Sequence, residues 1–308
     1  MRLSIIMPNY NHGQFLRSRI ESILEQLTDE DELVVVDDAS TDESASIIGK
    51  YASKDSRVRL IQNGQNMGPA KSANIAIEHA KGEYVAWLAS DDIMLPGFVK
   101  QNMAILQKNP KIGIVCSSFV EWDDRFPSET VQYEPQLNVD NPQVFSPSII
   151  TQVFWNTNFW IPGNTAITKR SHILKYGLFN SSFGHLCDWF LFHTIALYEG
   201  AAYIPSPLAL FRKNNQSYSS QSRNHLVKKR MIEKNVIDYI SLPENKELRR
   251  RFKQAGLFRF IIRNELIQLL KNPRSWDLLL SFLHRGISRK FKKTYSKEKL
   301  YDINHNPA

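Results

Sequence analysis

One stretch of the chain constrains the fold more than any other: an apolar run, Tyr84 to Leu88, that leads directly into two adjacent carboxylates. The carboxylates are Asp91 and Asp92, with Ser90 before them, and the run itself is typical of a buried strand. Because open α/β sheets bind ligands beyond the carboxyl ends of their strands, acidic side chains placed there are available to a ligand. Two neighbouring carboxylates repel each other, and a hard divalent cation such as Mg²⁺ or Mn²⁺ relieves that repulsion. The alternative is a solvated turn in which an aspartate caps the next helix.

Length and composition favour one large α/β domain with an appendage. The chain has 308 residues, of which 42% are hydrophobic and 23% are charged. Its two cysteines, Cys116 and Cys187, lie far apart and predict neither a disulfide framework nor a zinc site, so a reducing, cytoplasmic compartment fits best. The first apolar run is too short for a signal peptide, and no run reaches about 18 uninterrupted apolar residues, so we predict no bilayer-spanning segment.

Charge is distributed unevenly along the chain. Residues 225–308 hold 20 Lys and Arg against 8 Asp and Glu, whereas residues 1–224 hold 19 against 23. A basic tail suits an anionic membrane, a nucleic acid or an acidic polymer, but an acidic body with strand-end carboxylates does not suit a phosphate backbone. We therefore expect no nucleic-acid partner.

Two further predicted strands end in polar residues. The run before Pro8 is followed by Asn9 and Tyr10, an amide and an aromatic ring that suit hydrogen bonding to a base and stacking on it. The alternative is that the tyrosine packs the loop against the sheet. The run Glu32 to Val36 leads to Asp38, which suits a hydrogen bond from uracil N3 or a ribose hydroxyl, or else belongs to a helix cap.

A third predicted strand, Arg57 to Ile61, is followed by a loop rich in Gly and Asn that opens a helix. Lys71 lies in the first turn of that helix. Backbone N–H groups, the helix dipole and an ammonium group can together hold a diphosphate. The alternative is a solvated surface lysine.

Four motifs follow one another along the chain: Ile5 to Asn11, Val35 to Asp42, Asn66 to Asn74 and Gly82 to Asp92. In this order and at these spacings they resemble the inverting nucleotide-sugar glycosyltransferases of family 2, over roughly residues 1–220. The resemblance implies an α/β fold of the GT-A type, a single Rossmann-like nucleotide-sugar-binding domain with a mostly parallel central sheet. This catalytic domain would cover residues 1–222, and a basic amphipathic helical extension would cover residues 223–308.

The resemblance also implies roles on the donor side. Positions that match Pro8 and Tyr10 line the nucleotide in this family, and the position that matches Asp38 reads the base. Lys71 lies where a basic residue approaches the diphosphate.

Asp91 and Asp92 match the acidic metal motif of the family, which implies Asp92 as the direct ligand of a Mg²⁺ or Mn²⁺ ion on the diphosphate. Many members have another Asp where this chain has Ala89. Ser90 and Asp91 would then have to replace a water-mediated or ribose contact.

Asp188 stands beside Trp189 at the start of an otherwise apolar helical pattern. Partly desolvated surroundings raise the basicity of a carboxylate and suit it to general base catalysis, although an N-cap is the alternative. The position matches the catalytic base of the family, but Cys187 replaces a Glu that many members have. Arg212 matches an arginine that meets the diphosphate, whereas Asn214 stands where His is common.

The stretch between these motifs is less regular. Residues 121–147 contain four prolines and predict a long loop able to close over the active site. The aromatic cluster Trp155 to Trp160 suits either sugar stacking or core packing, and we keep Trp160 and Asn164 as acceptor or donor candidates.

From His225 onward, helical patterns place basic residues opposite Trp, Phe and Leu. Such faces suit peripheral contact with an anionic membrane on its cytoplasmic side, which a lipid-linked acceptor would share. Helices packed on the catalytic domain with a solvated basic face are the alternative.

Three functions compete. The first is a metal-dependent inverting glycosyltransferase that moves a sugar from a nucleoside-diphosphate sugar, with a lean toward uridine, to a hydroxyl of a glycan or lipid-linked acceptor in cell-surface polysaccharide or glycolipid synthesis. The second is a nucleotide-sugar-binding or regulatory protein without turnover, which Ala89, Cys187 and Asn214 support. The third, a nucleotidyltransferase, would need a glycine-rich signature that residues 1–20 lack. We favour the first.

Overall fold

The computed structural model describes residues 2–123, 125, 130–133, 135, 137, 139–213, 218, 222, 225–262 and 276, in which ten strands form one sheet. The strands are β1 (Leu3–Asn9), β2 (Glu32–Asp37), β3 (Val58–Gln62), β4 (Tyr84–Trp87), β5 (Ile93–Met94), β6 (Ile114–Trp122), β7 (Thr130–Gln132), β8 (Gln143–Phe145), β9 (Ile167–Lys169) and β10 (Ala201–Arg212). The helices are α1 (Gly13–Leu24), α2 (Ser44–Ala52), α3 (Pro69–His79), α4 (Phe98–Lys108), α5 (Pro147–Asn156), α6 (Arg170–Tyr176), α7 (Cys187–Glu199), α8 (Leu226–Ile240), α9 (Lys246–Gln254) and α10 (Arg259–Ile262).

The sheet order is β3-β2-β1-β4-β9-β6-β10-β5, with β7 paired to β6 and β8 paired to β10. Strand β1 runs parallel to β2 and β4, β2 runs parallel to β3, and β6 runs parallel to β10. The short strand β9 lies between β4 and β6 and is antiparallel to both, so β6 points the same way as β4. Six strands therefore end at one edge of the sheet, which confirms the predicted mostly parallel sheet.

Side chains alternate across the sheet and build an apolar layer on each face. On β1, Leu3 and Ile5 join the cluster formed with α1, α2 and α4, whereas Ile6 joins the cluster formed with α3, α5 and α7. All seven residues of β1 and all six of β2 are buried, as expected for strands that are covered on both faces. The molecule is thus a three-layer α/β/α structure.

The strand order reverses direction between β1 and β4. The pairing of β1 with β4 spans Leu3 to Ile6, while its pairing with β2 continues to Asn9. Helix α1, which follows β1, packs on one face, and α3, which precedes β4, packs on the other. This reversal is the topological switch point at which α/β sheets bind ligands. Pro8, which lacks an N–H, lies beyond the segment of β1 that pairs with β4.

Residues 121–147 hold more regular structure than predicted. Strand β7 pairs with the end of β6, and β8 pairs with the start of β10. The prediction of one long loop was wrong for these two segments, because strands of three residues carry too little alternation to be recognised without their partners.

The described helices of the C-terminal region pack on the body. Ile240 and Phe252 are fully buried in the same apolar cluster as α7, and the Phe252 ring lies 5.2 Å from the ring of Phe190. The helical patterns predicted for residues 263–275 and 277–308 lie outside the described residues. In the described part of the chain, no helix combines the length and the apolar character that a membrane span requires.

Candidate active site

The carboxyl ends of β1 and β2 carry hydrogen-bonded polar side chains next to an exposed aromatic ring. Asn9 Nδ2 donates to Asp37 Oδ1 (2.9 Å) and to Ser40 Oγ (3.3 Å), which ties the two strand ends together. The Asn9 Oδ1 atom is buried and has no partner among the described residues, so it remains available as an acceptor. Pro8 is buried, whereas Tyr10 is 43% exposed and presents its ring at this edge.

Asp38 accepts three hydrogen bonds from the loop between β3 and α3. Its Oδ1 accepts from the N–H of Met67 (2.9 Å) and from Asn63 Nδ2 (2.7 Å). Its Oδ2 accepts from the N–H of Gly68 (2.7 Å). The buried carboxylate therefore holds the loop in place and keeps one further acceptor position on Oδ2. Lys71 is exposed in the first turn of α3, directly after this loop.

Asp91 and Asp92 follow β4 and have different surroundings. Asp92 Oδ1 accepts from the N–H of Arg212 (2.8 Å), and Asp92 Oδ2 accepts from Nδ2 of Asn164. No described residue donates a hydrogen bond to the Asp91 carboxylate. Both residues are buried, and burial, followed by the charge of Asp91, raises the pKa of Asp92 to about 8. The two buried carboxylates therefore disfavour each other's ionised form.

A buried arginine lies near this pair. Arg19, on α1, is 1% exposed, and none of its guanidinium nitrogens donates a hydrogen bond to a described residue. Burial lowers the pKa of Arg19 to about 10, while the charges of Asp92 and Asp91 oppose that shift. Because a desolvated guanidinium without hydrogen bonds is costly, attraction to the two carboxylates is its main compensation.

The side chain of Arg212 is fixed beside the acid pair. Its Nε donates to the main-chain oxygen of Asp91 (2.9 Å). Its guanidinium contacts two aromatic rings, with Cζ 4.4 Å from the ring centroid of Phe15 and 4.5 Å from that of Trp122. Two cation–π contacts and the hydrogen bond to Asp91 together restrict the side chain. The predicted diphosphate ligand is therefore preorganised at the end of β10.

Asp188 and Asp92 meet at one short turn, the 3₁₀ segment Gly163–Thr165. Asp188 lies in the first turn of α7, and its carboxylate covers the Cα of Gly163: a Cβ built there would lie 2.1 Å from Oδ2. The next residue, Asn164, donates to Asp92. Two acids from distant parts of the chain thus contact adjacent residues of one turn.

All of the predicted site residues lie at or beside the same edge of the sheet. They are Pro8, Asn9 and Tyr10 at the end of β1, Asp38 after β2, Lys71 on α3, Asp91 and Asp92 after β4, Arg212 at the end of β10, and Asp188 on α7. The roles that we predicted for them remain proposals, but their convergence is a property of the fold.

Sequence reasoning missed several contacts at this edge. Nδ1 of His12 lies 2.7 Å from Oγ of Ser90, one of the two residues expected to replace a water-mediated or ribose contact. The roles of Gly163 and Arg19 were also missed. The signal for Arg19 was visible, because it shares the apolar face of α1 with Leu16.

The acid pair fits a hard divalent cation. Mg²⁺ and Mn²⁺ prefer oxygen ligands, and one or two carboxylates together with phosphate oxygens can hold such an ion. The Asp91 carboxylate accepts no hydrogen bond from a described residue, and Asp92 is oriented by two donors, as ligating carboxylates are. Among the residues that the structure covers, no cluster of three or more His, Cys, Asp or Glu forms a metal site.

Three residues depart from the family pattern, namely Ala89, Cys187 and Asn214, and the structure describes the first two. The N–H of Ala89 donates to Asn164 Oδ1 (3.1 Å), so its main chain takes part in the site although its side chain does not. Cys187 is buried, and burial raises the pKa of its thiol well above the ordinary value. Asn214 lies outside the described residues.

The sequence and the fold both have relatives of known class. The family described as Glycosyl transferase family 2 matches residues 4–173, which is more than half of the chain. The putative glycosyltransferase EpsE of Bacillus subtilis is 37% identical over 124 residues, which are 40% of this chain and 45% of EpsE. The chain spans less than half the length of several relatives that it matches at 37–40% identity.

Solved structures share the fold over nearly the whole chain. Staphylococcus aureus TarS in complex with UDP-GlcNAc has a TM-score of 0.62 at 19% identity, and the match covers 92% of this chain and 81% of that one. The mannosyltransferase PcManGT from Pyrobaculum calidifontis, in complex with GDP-Man and Mn²⁺, has a TM-score of 0.54 at 18% identity and covers 94% and 87%. These likenesses confirm the GT-A type of α/β fold. The chain belongs to glycosyl transferase family 2.

Proposed function

We propose that this protein is a metal-dependent, inverting glycosyltransferase that moves a sugar from a UDP-sugar to a hydroxyl of a glycan or lipid-linked acceptor. The observation that carries the proposal is the turn Gly163–Thr165, where Asn164 contacts Asp92 and Gly163 contacts Asp188. A candidate cation ligand and a candidate general base thus contact adjacent residues of one turn. The uridine assignment is supported by the fold shared with TarS, which was solved with UDP-GlcNAc.

On the donor side, each residue has a separate task. The ring of Tyr10 stacks on the base, and Asp38 accepts a hydrogen bond from it through the free position on Oδ2. Asp91 and Asp92 would hold a Mg²⁺ or Mn²⁺ ion, which supplies positive charge to the leaving diphosphate. Arg212 and Lys71 add positive charge from the protein.

On the acceptor side, Asp188 accepts the proton of the attacking hydroxyl, which raises its nucleophilicity. The hydroxyl oxygen attacks the anomeric carbon from the face opposite to the diphosphate, the bond to the diphosphate oxygen breaks, and the configuration inverts. One base suffices for a single displacement, whereas a retaining glycosidase uses a second carboxylate as a nucleophile.

Nucleotide release from a panel of UDP- and GDP-sugars tests the proposal, measured with Mn²⁺, Mg²⁺ or EDTA. We expect release from a UDP-sugar that requires the cation. Asp188→Asn should abolish transfer and keep UDP affinity, while Asp29→Asn, at an exposed acid, should change neither. Full transfer by the Asp188→Asn variant would contradict the assignment of the base. UDP-sugar binding without release from any donor would favour the nucleotide-sugar-binding alternative, which Ala89 and Cys187 support.

The pathway and the location are part of the same proposal. Relatives include EpsE and the putative teichuronic acid biosynthesis glycosyltransferase TuaG of Bacillus subtilis, which supports a role in cell-surface polysaccharide or glycolipid synthesis. We place the catalytic domain in residues 1–222 and a membrane-contacting extension in residues 223–308, on the cytoplasmic side.

The described part of that extension offers an apolar surface beside basic residues. Leu226, Val227 and Met231, in the first two turns of α8, are 69%, 73% and 57% exposed. Lys228 and Arg230 lie in the same two turns. Exposed apolar groups beside cationic groups suit the interface of an anionic membrane.

Sedimentation with phosphatidylglycerol-containing vesicles tests the membrane contact. Changing Leu226, Val227 and Met231 together to Ser, or deleting residues 272–308, should reduce the bound fraction. Leu174→Ser on α6, at a leucine that is 48% exposed, is the matched control and should not reduce it. Unchanged binding by both altered proteins would refute the membrane contact.

A further inference from the structure

The turn Gly163–Thr165 is anchored from two sides. Thr165 Oγ1 donates to the carbonyl of Pro162 (2.9 Å) and accepts from the N–H of Ser117 on β6 (3.2 Å). Just before the turn, the N–H of Ile161 donates to Nε2 of His193 on α7 (3.4 Å). Sheet and helix therefore fix the turn, and the same helix carries Asp188 at its start.

The amide of Asn164 has one orientation only. The N–H of Ala89 must have an acceptor, so the atom that faces it, 3.1 Å away, is Oδ1. Nδ2 then points to Asp92 Oδ2 and donates to it. Asn164 is 7% exposed, so water competes little with either bond. The amide thus locks the carboxylate of Asp92 to the main chain at the end of β4.

Gly163 makes the second contact of the turn. A Cβ on this residue would lie 2.1 Å from Oδ2 and 3.1 Å from Cγ of Asp188, so any side chain here would displace the carboxylate. The φ of Gly163 is not in the left-handed region, so conformational strain does not explain the glycine. The space that the missing Cβ leaves is occupied by Asp188.

We propose that Gly163 and Asn164 form a two-residue positioning device: Asn164 orients Asp92 for the cation and the diphosphate, and Gly163 seats Asp188 for the acceptor hydroxyl. Because the two residues are adjacent, the device fixes the separation between the donor side and the base. This inference rests on the proposed function, and Gly163 and Asn164 act through the two aspartates rather than on the substrates.

A double-mutant cycle of thermal stability tests the contact between Gly163 and Asp188 without any assay of sugar transfer. Gly163→Ala should lower the melting temperature by about 1–2 °C in the wild-type background, because the new Cβ forces the end of the Asp188 side chain to move. In the Asp188→Ala background the same change should cost little, since the overlapping atoms are gone. An equal loss in both backgrounds would overturn the contact. A failure of the whole proposed function would leave this result intact.

Separate measurements of UDP affinity and of kcat test the two roles proposed for Asn164 and Gly163. Asn164→Ala should weaken Mn²⁺-supported UDP binding by about 10- to 100-fold, as loss of a hydrogen bond to a ligating carboxylate does. Gly163→Ala should leave that affinity within about twofold and lower kcat for transfer by about 100-fold, as expected for a displaced catalytic group. Asn102→Ala, which removes a fully buried amide on α4, is the matched control and should leave UDP binding unchanged. Unchanged UDP affinity in Asn164→Ala, or equal losses of UDP affinity in the two turn variants, would overturn the proposal.

Discussion

The main-chain N–H of Arg212 donates to Asp92 Oδ1 across 2.8 Å, although 120 residues separate the two in sequence. This bond uses the backbone, so it survives any change of the Arg212 side chain except to proline. The guanidinium, with Cζ 4.4 Å from the ring centroid of Phe15 and 4.5 Å from that of Trp122, has contacts that are separate from those of the backbone N–H.

Arg212→Ala should weaken binding of UDP by about 10- to 100-fold, because a hydrogen bond to a charged group contributes roughly 1.5–3 kcal/mol. Uridine, which lacks the diphosphate, should bind equally to both proteins in calorimetry. Arg212→Lys should recover little, since an ammonium group does not stack on rings as a planar guanidinium does. Lys213→Ala, at the next residue, is the control; a weaker affinity for uridine in Arg212→Ala would contradict the diphosphate assignment.

Arg19→Met removes a buried positive charge near the acid pair while keeping an unbranched side chain. Because Arg19 lowers the pKa of Asp92, that pKa should rise above its present value of about 8 in the variant. Mn²⁺-supported UDP binding needs the ionised carboxylate, so its midpoint should move to higher pH in titrations. Arg17→Met changes an exposed arginine of the same helix and should leave the midpoint in place. Identical midpoints in the two variants would show that Arg19 has no effect on the pair.

The buried imidazole of His193 makes the stability of the fold depend on pH. Its Nδ1 lies 2.7 Å from the carbonyl of Trp189 and must donate, so Nε2 is the unprotonated atom that accepts from Ile161. Burial lowers the pKa of His193 to about 3, below its ordinary value of 6.5. The unfolded chain binds the proton more readily, so this contribution to stability is fully present above pH 6.5 and is lost as the pH falls toward 3.

Urea unfolding of wild type and His193→Phe across pH 3–7 measures that contribution. The advantage of the wild type should shrink by up to about 1.4 kcal/mol per pH unit below pH 6.5. A constant difference over the whole range would mean that His193 does not remain neutral in the folded protein.

Asp38→Asn should loosen the loop between β3 and α3. The carboxylate accepts from the N–H groups of Met67 and Gly68, and an amide nitrogen in place of one oxygen would face a donor. The expected cost is about 1–3 kcal/mol of unfolding free energy, with faster hydrogen exchange at both amides and weaker UDP binding. Asp29→Asn, at an exposed acid, should leave all three measurements unchanged. Unaltered exchange at Met67 and Gly68 would refute the role of Asp38 in the loop.

Much of the candidate site could be predicted because its residues are marked by local patterns. Apolar runs that stop at Asn9, Asp38 and Asp91 identify strand ends, and the direction shared by the main strands brings those ends to one edge. Asp188 was found in a similar way, from an acid at the start of an apolar helix. The short strands β7 and β8 could not be predicted, because pairing rather than periodicity defines them.

The sequence alone determined the α/β layers, the strand-end carboxylates and the family. Hydrophobic periodicity and motif spacing can be recognised in short stretches of sequence, without knowledge of tertiary contacts. Only the tertiary structure decided that Asn164 binds Asp92, that Gly163 makes room for Asp188, and that Arg19 lies near the acids without a hydrogen bond to any described residue. These contacts join residues that are far apart in sequence. They depend on strand order and on the space left between side chains, which no local pattern encodes.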